Sequence, residues 1–115
     1  AEATVRTFTP ALREYPAGLA YMVMAWDFAL QKPVQVVFVG TPEELAATRA
    51  ELQGRWLPYR VFAWQIAGAP TAYPALADKA RLQDRLTIYV CRDFTCRPPV
   101  HDPESLWTVL SQGIA

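Results

Sequence analysis

The beginning of the chain carries a predicted helix that is apolar on almost every side. Between Pro16 and Gln31 the only charged residue is Asp27, and apolar side chains fill most of the helix circumference. A helix with this pattern is normally covered on more than one side. A weaker helical spacing precedes it in residues 2–14. We therefore expect one or two helices here, with self-association or packing against further polypeptide through helix 16–31.

Three short runs of apolar, largely β-branched residues follow this region. They predict strands at residues 36–40, 60–64 and 86–91. The first run is apolar at every position before Gly40, which is typical of a strand buried on both faces. We therefore expect this strand to lie at the centre of the sheet.

Capping residues mark the start of two helices. Thr41 precedes Pro42, and Glu44 stands at the third helical position, where a capping box has its acidic side chain. Asp102 and Pro103 repeat the arrangement of a capping residue before proline. We expect a helix to begin after each cap.

The order of these elements predicts the fold class. Residues 34–64 read as strand, helix and strand, which predicts two parallel strands joined by a right-handed crossover. Residues 65–85 contain Gly68, Pro70 and Pro74 and predict a long connection to the third strand. The sequence therefore predicts an α/β fold with a small three-stranded parallel sheet in the order 2-1-3, helices on both faces, and one or two preceding helices.

Charge and hydropathy exclude some classes of partner. Eleven basic side chains balance eleven acidic ones, and the isoelectric point is near 6.8, so no long-range field would attract nucleic acid or an anionic membrane. No apolar run reaches the ~18 residues of a membrane span, and the first residues lack a signal-peptide pattern. We expect a cytoplasmic location, with no nucleic-acid or membrane partner, in a chain that is mature, trimmed or cut from something longer.

The two cysteines are the first candidates for chemistry. Cys91 and Cys96 have the spacing C-x4-C at the end of the third strand, which leaves structural thiols, a disulfide, a redox or partner-exchange role and a metal site open. His101 extends the pattern to C-x4-C-x4-H, but three ligands fall short of the four of a structural zinc site. We expect no metal.

The strand ends predict a ligand crevice. Ligands of open α/β sheets bind beyond the carboxyl ends of parallel strands, and these ends would carry Gly40, Thr41, Asp93 and His101. The glycine pattern of a dinucleotide site is missing, and the acidic residues that follow Thr41 would repel phosphate. We therefore predict a crevice without a cofactor, and no catalytic residue stands out.

The motif around the third strand resembles a known family. Tyr89-Val90-Cys91 is followed after four residues by Cys96, then by Pro99-Val100, Asp102-Pro103 and Leu106. This string resembles the carboxyl-terminal end of the YyaL and spermatogenesis-associated thioredoxin-like, or thioredoxin domain-containing, proteins. The helix at 16–30 followed by Val36-Val-Phe-Val-Gly40 is similar to the segment just upstream of it in that family.

The resemblance implies a fragment of a larger protein. In that family a thioredoxin-like domain precedes an α/α-toroid of the six-hairpin glycosidase type, and a small α/β domain follows. Residues 1–33 would then be the terminal helices of the toroid, and residues 34–115 the carboxyl-terminal domain. The partners would be the upstream helical and thioredoxin-like domains of the same polypeptide. The family's C-x-x-C redox motif belongs to the amino-terminal domain and does not occur here.

Two functional hypotheses follow. In the first, the chain is a non-catalytic accessory domain that packs against the helical domain, and this fragment is not expected to be an enzyme. In the second, it is an independent redox or small-molecule-binding domain that uses Cys91 and Cys96 at the strand ends. A bare apolar face on helix 16–31 would favour the first hypothesis, whereas a deep pocket at the strand ends would favour the second.

Overall fold

The amino-terminal part of the chain is helical. The computed structural model describes residues 2–113 and divides into two units, one ending at Pro33 and the other starting at Val34. The first unit contains α1 (Glu2–Thr7), α2 (Thr9–Glu14), a 3-10 turn (Pro16–Leu19) and α3 (Ala20–Leu30). Over residues 2–113, no helix has the length and apolar character needed to cross a membrane.

The second unit combines a sheet with helices, so the predicted α/β class is confirmed. Its elements are β1 (Val34–Gly40), α4 (Pro42–Leu52), β2 (Arg60–Ile66), α5 (Pro74–Ala77), β3 (Thr87–Arg92), β4 (Thr95–Cys96) and α6 (Pro103–Ser111).

Both predicted helix caps are confirmed. The Thr41 hydroxyl accepts a hydrogen bond from the Glu44 amide, and the Glu44 carboxylate accepts one from the Thr41 amide. The Asp102 carboxylate accepts from the Ser105 amide at 2.7 Å. Each cap satisfies amides that the first turn of a helix leaves without intrahelical partners.

The sheet differs from the predicted one in number and direction of strands. Its order is β2-β1-β3-β4; β1 and β2 are parallel as expected, but β3 runs antiparallel to β1, with Thr87 beside Val39 and Cys91 beside Gln35. The prediction of three parallel strands was therefore wrong. The connection after β2 contains only the four-residue α5 and brings the chain into β3 at the edge where β1 ends. A parallel β3 would require the chain to cross back along the sheet first.

The fourth strand arises from a tight hairpin. Asp93 and Phe94 have φ angles of 47° and 63°, and they connect the paired residues Arg92 and Thr95. Two consecutive residues with positive φ are the conformation of a type I′ turn, whose twist suits an antiparallel hairpin. The turn places Cys96 directly opposite Cys91.

The two long helices of this unit cover the same face of the sheet. Leu45 and Leu52 of α4 and Leu106 of α6 share a buried cluster with Val36 and Phe38 of β1. On the second face, a smaller cluster joins other β1 side chains to one residue of α5. Helices were expected on both faces of the sheet. On the second face, only the short α5 and the connection that carries it provide this cover.

Candidate functional site

Three of the four residues of the predicted crevice lie at the same end of the sheet, and Asp93 does not. Gly40 and Thr41 lie where β1 ends, and His101 is held near the start of β3 because its Nδ1 lies 2.8 Å from the Leu86 carbonyl oxygen. Asp93 lies in the hairpin turn beyond the other end of β3. The antiparallel direction of β3 separates Asp93 from the other three, since it takes the cysteine hairpin to the opposite end of the sheet.

At the end of β1, charged and polar side chains bond to one another. Arg81 donates two hydrogen bonds to the Glu44 carboxylate, from Nε at 3.1 Å and from Nη2 at 2.8 Å, and the Thr41 amide donates a third at 2.9 Å. These bonds lower the pKa of Glu44 below its ordinary value, and the bonds from Arg81 have the largest effect. Partial burial of the carboxylate acts in the opposite direction. The cluster therefore fixes the long connection to the start of α4.

This cluster also explains the glycine at the end of β1. A Cβ atom on Gly40 would lie 2.8 Å from Oε2 of Glu44 and 3.2 Å from Cδ1 of Leu86. The side chain of Glu44 fills the space in front of the α4 amino terminus, where a bound anion would otherwise interact with the helix dipole. A phosphate group would have to displace this carboxylate, so the arrangement disfavours nucleotide binding here.

We expect Glu44→Gln to destabilise the chain in a pH-dependent way. Because the folded-state pKa of Glu44 is lowered, its ionised form stabilises the fold fully above the unfolded-state pKa of about 4.3. This contribution disappears as the pH falls through the lower folded-state pKa. The difference in free energy of unfolding between wild type and Glu44→Gln should therefore be largest near pH 7 and shrink below about pH 4.

Urea unfolding at a series of pH values measures this difference. Glu43→Gln is the matched control, because Glu43 lies in the same helical turn and is exposed. A difference for Glu44→Gln that stays constant from pH 7 to pH 3, or that equals the Glu43→Gln difference, would contradict the assignment.

His101 and Asp102 have local structural partners. Since the Leu86 carbonyl can only accept, Nδ1 of His101 carries the hydrogen of that bond. Hydrogen bonds from the Ser105 amide and hydroxyl lower the pKa of Asp102, as befits a capping carboxylate. Within residues 2–113, no group of three or more His, Cys, Asp and Glu side chains is placed to hold a metal ion.

The second cluster lies at the cysteine hairpin, where Cys91 and Cys96 form a disulfide. Their spacing alone left several states open, and the tight turn between them selects this one. Cys91 is only 5% exposed, whereas Cys96 lies on the exposed edge strand β4. The two residues of the bond therefore differ in their exposure to solvent.

One lysine approaches the exposed sulfur. Nζ of Lys79 lies 3.9 Å from Sγ of Cys96 and 5.5 Å from the centre of the Tyr89 ring. The hydroxyl of Tyr89 donates to the Ala80 carbonyl at 2.6 Å, which ties the connection carrying Lys79 to β3. Sequence reasoning missed Lys79 and Arg81 because both lie in a connection with only a weak helical pattern, where a charged side chain usually points to solvent.

A third feature is a groove on the second face of the sheet. Its volume is about 670 Å³, and it follows β2 along its length, between the strand and residues 69–76. Most of its lining is apolar, and Gln65 contributes a buried Oε1 that has no hydrogen-bond partner among residues 2–113. The groove differs in position from the expected crevice, since it runs beside a strand rather than across the strand ends.

Comparisons with known proteins agree with the coarser part of the resemblance. No protein-family model and no solved structure matches the chain. The chain is similar to spermatogenesis-associated protein 20 of Rattus norvegicus, with 30% identity over 113 residues, and to the Mus musculus protein of the same name, with 29% identity over 113 residues. Each match covers 91% of this chain but 14% of the relative. The chain thus spans about one seventh of the length of these curated relatives, and it is similar to part of a much longer protein.

Proposed function

We propose that the chain is a non-catalytic accessory domain at the carboxyl end of a larger, multidomain thioredoxin-like protein with a six-hairpin-glycosidase-like helical domain. Its first unit, residues 1–33, supplies the terminal helices of that helical domain and packs against the rest of it. The observation that carries this proposal is the exposed apolar surface of α3.

The surface of α3 is too apolar for a helix that remains in water. None of its side chains is buried, and Tyr21, Met24 and Leu30 are 88%, 64% and 68% exposed. Single exposed apolar residues are common, but several on one short helix mark an interaction surface. Burying each large side chain contributes about 1.5–3 kcal/mol, so covering this surface is strongly favourable.

The first unit also has a groove in which a helix that covers α3 could bind. Its volume is about 690 Å³, and its lining includes Val5, Trp26, Phe28 and Leu30. Helices pack by inserting side chains of one helix into grooves between side chains of the other. Apolar side chains of a neighbouring helix would therefore fill this groove and remove its apolar lining from water. Its helical surroundings favour a helical partner, as the α/α-toroid of the resembling family would supply.

The coverage of the relatives supports the same proposal. The aligned region includes nearly all of this chain but a small part of each relative, so most of the related polypeptide lies outside it. A segment of that kind has a large intramolecular surface available, and covalent connection raises its effective concentration far above that of a free partner.

In a pure sample of the chain, a second copy can cover α3. We therefore expect residues 1–115 to self-associate, and Met24→Glu to weaken this association roughly tenfold or more, because 1.4 kcal/mol corresponds to a factor of ten. Sedimentation equilibrium from low to high micromolar concentration measures the effect.

Gln53→Glu is the control, because it adds the same charge at an exposed polar position of the second unit. It should leave the association unchanged. A strict monomer at high micromolar concentration, with equal solubility of wild type and Met24→Glu, would contradict the proposed role of α3.

A further inference from the structure

We propose that the Cys91–Cys96 disulfide is a thiol-exchange site in which Cys96 is the reactive sulfur and a dithiol is the reaction partner. This inference goes beyond the accessory role. It rests on the second unit alone, so either proposal can fail without the other.

The first argument is access. Thiol–disulfide exchange proceeds by attack of a thiolate on one sulfur of the disulfide, so the rate depends on which sulfur can be reached. Cys91 lies within β3 and is nearly buried, whereas Cys96 lies on β4, where both residues are exposed. An incoming thiolate therefore meets an exposed residue at Cys96 and a nearly closed one at Cys91.

The second argument is electrostatic. The ammonium group of Lys79 lies 3.9 Å from Sγ of Cys96. A neighbouring cation stabilises a thiolate, both when Cys96 leaves as one and when it attacks as one. Contact with the Tyr89 ring holds the lysine in this position in the folded chain. A disulfide that only braced the hairpin would not require this cation.

The third argument concerns the surface around the bond. Phe94 is fully exposed at the tip of the hairpin, two residues from Cys96. The type I′ turn fixes its backbone, so its ring is presented at little cost in conformational entropy. Aromatic side chains are enriched at protein–protein interfaces, so an exposed ring beside the disulfide suits a partner dithiol that is carried on a protein. The preferred partner is thus a dithiol carried on a protein, and small thiols serve as probes.

The exchange balances in two steps. A partner thiolate attacks Sγ of Cys96, the bond between the two protein sulfurs breaks, and Sγ of Cys91 leaves with the electron pair and takes a proton from water. The partner's second thiol, as a thiolate, then attacks the partner sulfur of the mixed disulfide, and Cys96 leaves as a thiolate beside Lys79. The partner dithiol is oxidised to a disulfide, and Cys91 and Cys96 are reduced to thiols.

Glutathione, a monothiol that cannot complete the second step efficiently, traps the mixed disulfide. The oxidised chain, residues 1–115, is incubated with glutathione without denaturant, treated with excess N-ethylmaleimide to cap the freed thiol and the remaining glutathione, and digested with trypsin. Cleavage after Arg92 places the two cysteines in different peptides. We expect at least tenfold more glutathione on the peptide with Cys96 than on the peptide with Cys91. Equal labelling, labelling of Cys91, or no exchange in the native chain would overturn the proposal.

A second measurement tests Lys79. In Cys91→Ser, the rate of Cys96 alkylation by iodoacetamide at pH 7 should fall about twofold to fivefold when Lys79→Gln is added. Lys32→Gln in the same background is the matched control. It removes the same charge as Lys79→Gln, but from the chain's other lysine, which lies in the first unit. Equal rates in all three variants would overturn the role of Lys79. If Cys91→Ser does not fold, the rate of glutathione exchange in Lys79→Gln and Lys32→Gln gives the same comparison in the disulfide-bonded chain.

Discussion

Replacing Phe38 by alanine is expected to lower the free energy of unfolding by about 3–5 kcal/mol, the usual cost of deleting a buried aromatic side chain. Phe38 is completely buried in the central strand β1. Its ring stacks on Trp64 with 4.1 Å between centroids and meets Phe62 edge-on at 5.6 Å. The variant therefore loses apolar burial and two aromatic contacts at once. Since a domain of this size has a free energy of unfolding of about 5–15 kcal/mol, Phe38→Ala should remove at least about a fifth of that stability.

Urea denaturation followed by tryptophan fluorescence measures this loss. Phe94→Ala is the matched control, because it deletes the same side chain from a fully exposed position. We expect the control to change stability by less than about 0.5 kcal/mol. Similar losses in the two variants would show that the core is not centred on β1.

The elements that the sequence predicted well are those fixed by neighbours in the chain. The Thr41 and Asp102 caps, the parallel pairing of β1 with β2 and the central position of β1 all follow from short-range patterns. A capping box needs residues three positions apart, and a β-α-β unit needs only the order of its elements. These features could therefore be read without knowledge of the tertiary structure.

The direction of β3 could not be read in this way. It depends on the path of the connection after β2, which contains glycines and prolines and only a weak helical pattern. A connection of that length can reach either end of the strands before β3 begins, and the hydrophobic pattern of Thr87–Arg92 suits either direction. The predicted parallel direction of β3 placed Gly40 and Asp93 at the same end of the sheet, whereas the structure has them at opposite ends.

The candidate site shows the same division. The C-x4-C spacing pointed to Cys91 and Cys96, and a disulfide was among the states it left open. The lysine beside Cys96 could not be predicted, because Lys79 lies 17 positions away and reaches the sulfur only through the folded connection. Cys91 is nearly buried and Cys96 is exposed, and nothing in the sequence predicted this difference.

Reduction of the disulfide is expected to have the second-largest effect on stability, a loss of about 2 kcal/mol. The two cysteines are five positions apart, and a cross-link that closes so short a loop removes only a modest amount of entropy from the unfolded chain, worth ~2 kcal/mol in the chain-entropy model. β4 has only two residues and is exposed, while backbone hydrogen bonds from Arg97 to Val90 and between Val100 and Ile88 hold the residues after it against β3. The loss should therefore be accompanied by faster amide exchange at the hairpin, while the amides of β1 remain protected.

Urea unfolding of the oxidised chain and of the chain in excess dithiothreitol provides the comparison. The double variant Cys91→Ala, Cys96→Ala controls for the reductant, since its unfolding midpoint should not change when dithiothreitol is added. Equal stability of the oxidised and reduced wild type would contradict the stabilising role of the bond. A loss near 2 kcal/mol would mean that the fold survives reduction, because the clusters around Phe38 and Val37 contain neither sulfur. Thiol exchange at Cys96 then becomes compatible with a folded domain, since the hairpin can open and close while the rest of the sheet stays intact.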